Sequence, residues 1–206
     1  MTESQRDIYR HHHQTNRERG FSILKEDRGK LLKELIGEGH NVLDIGCRDG
    51  ALTKYFTKDN KVLGVDIDDV ALEDAKKSLG IEVMKVDLNG DWSELKDRKF
   101  DIIVAGEVLE HLYYPEKVVG KVGEHLVSGG MFVGSVPNTF SLKNRFRLFL
   151  GMKKHTPLGD PTHINHFHIK ELRLMLKEHF IKVEIRGLGR YGRLARISPG
   201  FFGFDL

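Results

Sequence analysis

VLDIGCRDGALT, residues 42–53, changes character at Gly46. Val42, Leu43, Asp44 and Ile45 read as a buried strand with one acid set into it. Gly46 and Gly50 then bracket Cys47, Arg48 and Asp49, and a segment with helical spacing, ALTKYFTK, follows. Glycine takes backbone angles closed to other residues, so such a turn brings backbone N–H groups close to a ligand at a helix N-terminus. A glycine pair after one strand is a common pattern, and its weight depends on the surrounding sequence.

Four further apolar runs have strand character: KVLGVD (61–66), IEVMKVD (81–87), FDIIVAG (100–106) and GMFVGSV (130–136), with the first strand being NVLDIG (41–46). Between them DVALEDAKKSL, a short WSELK and PEKVVGKVGEHLV carry helical spacing. Strands alternating with helices imply a parallel sheet with right-handed crossovers and both faces covered. The fold expected is therefore α/β: a doubly wound, mostly parallel seven-stranded sheet with helices on both faces. A helix of about residues 17–37 leads in, where Phe21, Leu24, Leu31, Leu32, Leu35 and Ile36 recur at helical spacing. After Pro137 the rhythm breaks into an insert of about 137–168, then resumes with IKELRLMLKEHF as a helix, IKVEIRGL as a strand and RLARIS as a last strand. Inserts of this length often form lids or binding loops.

At 206 residues the chain suits one domain, 1–206. It shows no run of about 18 apolar residues, so no transmembrane segment is expected. The polar start lacks a secretory pattern, and Cys47 stands alone; both point to a cytoplasmic home. The net charge of +3 hides an asymmetry: residues 137–206 carry 13 Lys and Arg against five acids, about +8, and the rest of the chain about −5. A basic C-terminal part fits an anionic partner, RNA among the options.

In an open doubly wound sheet the ligand lies beyond the carboxyl ends of the strands. Those ends carry Asp44, Asp66, Asp87 and Glu107. Asp66 follows Gly46 by 20 residues, a spacing that suits a carboxylate accepting from two ribose hydroxyls. Asp87 suits an exocyclic amine such as that of adenine. A nicotinamide site would read G-x-G-x-x-G, whereas this chain reads Gly46-Cys47-Arg48-Asp49-Gly50-Ala51.

The succession VLDIGCRDG, VLGVDID, VMKVDLNG and FDIIVAGEVLEHL resembles the Rossmann-like class I S-adenosylmethionine-dependent methyltransferases over residues 41–136. The resemblance implies that Asp44, Gly46, Cys47 and Gly50 wrap the methionyl and ribose portion. It further implies that Asp66, with Ile67 beside it, holds the ribose hydroxyls, with Asp68 as second choice. Asp87 and the backbone of Leu88 would read adenine, and Glu107 would sit near the transferable methyl, the product being S-adenosylhomocysteine. The family usually has a third glycine where this chain has Arg48, which must either face outward or take an unusual backbone angle.

The sulfonium donor is already activated, so the protein has to align the acceptor and, for an oxygen or nitrogen nucleophile, remove a proton. His111 and Glu107 are the nearest candidates, with His166 from PTHINHFH (161–168) facing them. The stretch Glu107-Val-Leu-Glu110-His111 also resembles the E-x-x-E-H of small-RNA 2′-O-methyltransferases, and the ubiquinone-pathway O-methyltransferases show a similar one. In the RNA enzymes it helps hold a divalent ion. By that likeness Glu107, Glu110, His111 and His166, with His163 as alternative to the last, become metal candidates. In SLKNRFRLFLGMKK (141–154), Leu142, Phe146 and Phe149 would share one helical face, as in a lid, a partner contact or an interfacial helix. The expected activity is O-methylation of a small, anionic metabolite. The alternatives are metal-dependent 2′-O-methylation of RNA ends and a non-catalytic cofactor-binding scaffold subunit.

Overall fold

The computed structural model of the chain describes residues 24–188 and the backbone of Gly200–Asp205. Five strands run parallel: β1 (Asn41–Ile45), β2 (Lys61–Asp66), β3 (Glu82–Lys85), β4 (Phe100–Gly106) and β5 (Leu126–Val136). Strands β6 (Lys182–Gly187) and β7 (Gly200–Asp205) complete one edge, β7 lying antiparallel between β5 and β6. The order is β3-β2-β1-β4-β5-β7-β6. From β1 the chain winds outward to β2 and β3, then returns to place β4 on the other flank of β1. The carboxyl ends of β1 and β4 thus part at the point where winding reverses, which opens a crevice there.

Alternation along the strands sends side chains to two cores. Leu43, Ile45, Leu63, Val65, Ile103 and Phe132 pack on one face with Trp92, Val118, Val122, Leu172 and Leu176. Val42, Val62, Ile102, Val104 and Val133 pack on the other with Leu32, Ile36 and Ala75. Among the described residues five helices follow in chain order: α1 (Lys25–Ile36), α2 (Asp69–Leu79), α3 (Pro115–His125), α4 (Leu142–Phe149) and α5 (Ile169–Lys177). Gly37, at φ 68°, ends α1. Among the described residues no helix is long and apolar enough to cross a membrane.

Several expectations need correcting. ALTKYFTK forms only turns with one 3-10 turn at Thr53–Tyr55, and WSELK likewise folds only at Ser93–Leu95. Strand β5 starts at Leu126, four residues ahead of the expected Gly130, because Leu126 pairs with Phe100 before a register shift. Asp68 caps α2, its Oδ1 accepting from Val70 N at 3.0 Å and Ala71 N at 3.4 Å. RLARIS and residues 17–23 lie outside the described residues.

Candidate active site

The crevice is built from the loops after β1, β2 and β4. Asp44 is buried at the end of β1, and Thr53 Oγ1 donates to its Oδ2 at 2.7 Å. Burial pushes this carboxyl up to about 7; the Thr53 bond opposes that rise, and the neighbouring Asp66 charge adds to it. Gly46 N and Cys47 N both donate to Val65 O, at 2.7 and 3.1 Å, tying the glycine turn to the end of β2. Glycine is required at two places here. A Cβ on Gly46 (φ 70°) would lie 2.6 Å from Val108 Cγ2, and one on Gly50 (φ 78°) 2.4 Å from Leu79 Cδ1.

Arg48 adopts the left-handed angle its position demands, φ 51°. That conformation aims its N–H at Asp66 Oδ2, 2.9 Å away, while Asp68 N donates to Oδ1 at 3.0 Å. The Asp66 carboxylate is thereby oriented, and each oxygen keeps acceptor capacity for a hydroxyl. Burial raises its pKa, and these backbone bonds oppose the rise. Ile67 lies half-buried beside it. After β3, Asp87 Oδ1 accepts from Asn89 N at 3.0 Å, and buried Leu88 is held by Trp92 Nε1 donating to its carbonyl at 3.1 Å.

Glu107, directly after β4, is also left-handed at φ 63°, and its N–H donates to Ser135 O at 3.0 Å. Its carboxylate lies 3.6 Å from Arg28 Nη2, and Arg28 also donates to Ser135 Oγ at 2.5 Å. Arg28 is only 4% exposed. Sequence reading missed it, although the signal was present: Arg28, Leu32 and Ile36 share the buried stripe of α1, and a charge on such a stripe calls for an internal partner.

PTHINHFH docks on the turn after Glu107. Ile164 N and Asn165 N both donate to Glu110 O at 2.9 Å, and Asn165 Nδ2 donates to Leu112 O. The hook presses the residues just before it against His111. His111 Nδ1 is 2.9 Å from Thr162 O, and the His111 and His163 rings meet edge to face at 4.9 Å. His163 Nδ1 lies 3.2 Å from Pro157 O. A carbonyl can only accept, so this network assigns the proton to Nδ1 in both neutral rings and leaves each Nε2 as the basic nitrogen. His111 Nε2 lies 3.9 Å from Glu110 Oε1, and Glu110 is 1% exposed.

Among the described residues, Glu110, His111 and His163 offer ligand atoms that all lie within 4.8 Å of one another. This cluster differs from the expected set on two points. His163, the alternative to His166, is the histidine beside His111, since it immediately precedes the hook. Glu107 lies outside it, with its carboxylate 3.6 Å from Arg28 Nη2. His166 is half-buried beyond the hook, its Nδ1 lacks a hydrogen-bond partner, and burial, then Lys153, lowers its pKa. His168 is structural: it caps α5, accepting from Lys170 N at 3.2 Å while its own N–H donates to Glu171 Oε2 at 3.1 Å. A cleft of about 610 Å³ lined by Asn60, Lys61, Glu82 and Arg98 lies at the opposite edge, by the amino ends of the strands.

A doubly wound sheet with acids at successive strand ends and a glycine turn at the reversal defines a Rossmann-like S-adenosylmethionine-dependent methyltransferase domain. The family model described as "Methyltransferase domain" matches residues 12–179, so the chain belongs to that family. It is 34% identical over 106 residues to a ubiquinone biosynthesis O-methyltransferase of Nitrosococcus oceani, covering 48% of this chain and 44% of that protein. It is 28% identical over 166 residues to the mitochondrial enzyme of the same description from Candida albicans, covering 75% of this chain and 51% of that one. The chain thus spans about half the length of the curated relatives it matches. A solved S-adenosylmethionine-dependent methyltransferase from Archaeoglobus fulgidus shares the fold, with a TM-score of 0.71 at 17% identity over 97% of this chain and 99% of that one.

Proposed function

We propose that this domain transfers the methyl group of S-adenosylmethionine to an oxygen of a small, anionic acceptor, with His111 as the base. The observation that carries this reading is the hydrogen bond between His111 Nδ1 and Thr162 O, which leaves Nε2 as the basic nitrogen, 3.9 Å from Glu110 Oε1. The cofactor's sulfonium supplies the leaving group. Asp66 orients the ribose, Asp87 and Leu88 frame the adenine, and Asp44, Gly46, Cys47 and Gly50 line the methionyl end. Glu107, held by Arg28, is a positioning residue beside the transferable methyl. The acceptor hydroxyl gives its proton to His111 as its oxygen attacks in line. The excess of Lys and Arg over acids in residues 137–206 favours an anionic acceptor.

The O-methyltransferase relatives support this reading. Calorimetry with S-adenosylhomocysteine should show binding to the native chain, weakened in Asp66→Ala. Tritiated S-adenosylmethionine should label a hydroxyl oxygen of the acceptor, and His111→Ala should lower kcat about 100-fold with cofactor affinity retained. Absence of heat with the native chain, label on nitrogen or carbon, or full activity of His111→Ala overturns the proposal.

A second reading keeps the methyl transfer and adds a divalent ion. Glu110, His111 and His163 would hold it, and the backbone carbonyls on both Nδ1 atoms orient the imidazoles as metal-bound histidines usually are. One carboxylate and two imidazoles suit zinc or manganese, and such an ion lowers the pKa of a bound hydroxyl.

A further inference from the structure

Helix α4 is turned inside out. Leu142, Phe146 and Phe149 are 62%, 64% and 85% exposed, and Leu150 just past its end is 53% exposed. These positions recur at helical spacing and form one face. No residue of the helix is buried. The side chains that anchor it are polar: Asn144 Nδ2 donates to Asn138 O at 2.9 Å, Arg145 Nε to Phe140 O at 2.9 Å and Arg147 Nη1 to His155 O at 2.7 Å. Ser141 Oγ caps its start, accepting from Asn144 N at 3.3 Å. The helix is therefore fixed to its own insert by polar contacts, with its apolar side to solvent. Contiguous exposed apolar surface of this kind marks an interaction site.

Charge selects the occupant. Residues 137–159 contain Lys143, Arg145, Arg147, Lys153 and Lys154 and neither Asp nor Glu. A second copy of the chain seated on this face would bring like charges together, which is costly. An anionic bilayer surface satisfies both features at once: Phe and Leu enter the boundary between headgroups and acyl chains, and Lys and Arg meet the headgroups. We infer that α4 and the basic residues around it dock this domain on an anionic phospholipid bilayer. The inference does not depend on the chemistry performed in the cofactor crevice.

Flotation of the full chain with vesicles tests it. With phosphatidylcholine vesicles containing phosphatidylglycerol, the native chain should bind at least about tenfold tighter than to phosphatidylcholine alone, and binding should weaken with salt. Phe146→Ser with Phe149→Ser should lose about tenfold, and so should the triple change Lys143→Gln, Lys153→Gln, Lys154→Gln. All five side chains are exposed, so thermal unfolding should be unchanged. Failure of the native chain to float with anionic vesicles, equal binding to neutral ones, or native binding by the Phe variant overturns the inference. So does a dimer that the Phe variant dissociates in sedimentation equilibrium without any vesicle binding, which would assign the face to a second copy.

Discussion

Arg28 reaches from the first turn of α1 to Glu107 at the end of β4, its Nη2 lying 3.6 Å from the carboxylate. The pair joins two elements far apart in sequence at the point where the methyl donor is expected. Arg28→Met leaves the Glu107 carboxylate without its cation in a mostly buried position. The expected cost is about 2–3 kcal/mol, below that of a fully buried pair because the Glu107 side chain is 21% exposed. Glu107→Gln in the same chain should recover about 1 kcal/mol of it. Urea unfolding of the two single variants and the double checks this; strictly additive losses would contradict it.

Asp44 makes stability pH-dependent with an unusual sign. Its folded pKa of about 7 lies above the unfolded value of 3.8, so the native state binds the proton more tightly. The resulting stabilisation is complete below the unfolded pKa and is lost as pH rises through the folded one. At most it amounts to about 4 kcal/mol in the cofactor-free chain. Asp44→Asn should flatten the decline between about pH 4 and pH 7, the interval set by these two pKa values. Identical pH slopes for the variant and the native chain would exclude Asp44 as its source.

Arg48→Gly should leave S-adenosylhomocysteine affinity within about twofold, because the contact to Asp66 comes from the backbone N–H that glycine retains. Relief of the left-handed angle contributes up to about 1 kcal/mol, partly offset by the freer unfolded chain. Calorimetry and thermal unfolding measure the two effects. A large gain or loss of affinity would mean that the guanidinium itself meets the cofactor.

The divalent-ion reading separates two histidines three residues apart. Manganese titration followed by electron paramagnetic resonance should show binding that His163→Ala weakens at least about tenfold and His166→Ala leaves nearly unchanged. Equal losses would return His166 to the ligand set. No binding by the native chain removes the ion.

The legible parts of this protein are those whose signal is local. Apolar runs ending in Asp44, Asp66, Asp87 and Glu107 place the strand ends, because strand periodicity and the turn that follows are properties of neighbouring residues. A local signal also misleads. ALTKYFTK has helical spacing, yet the packing of Thr53 onto Asp44 holds it as a turn.

From the sequence alone came the doubly wound α/β class, the order of the cofactor motifs and the candidate histidines. Tertiary structure decided which of them meet. Glu107 turns to Arg28, from a helix 79 positions earlier, because a half-buried carboxylate takes the nearest cation. His163 rather than His166 reaches His111 because two backbone N–H groups hook onto Glu110, and the spacing of three histidines cannot state where such a hook will fall.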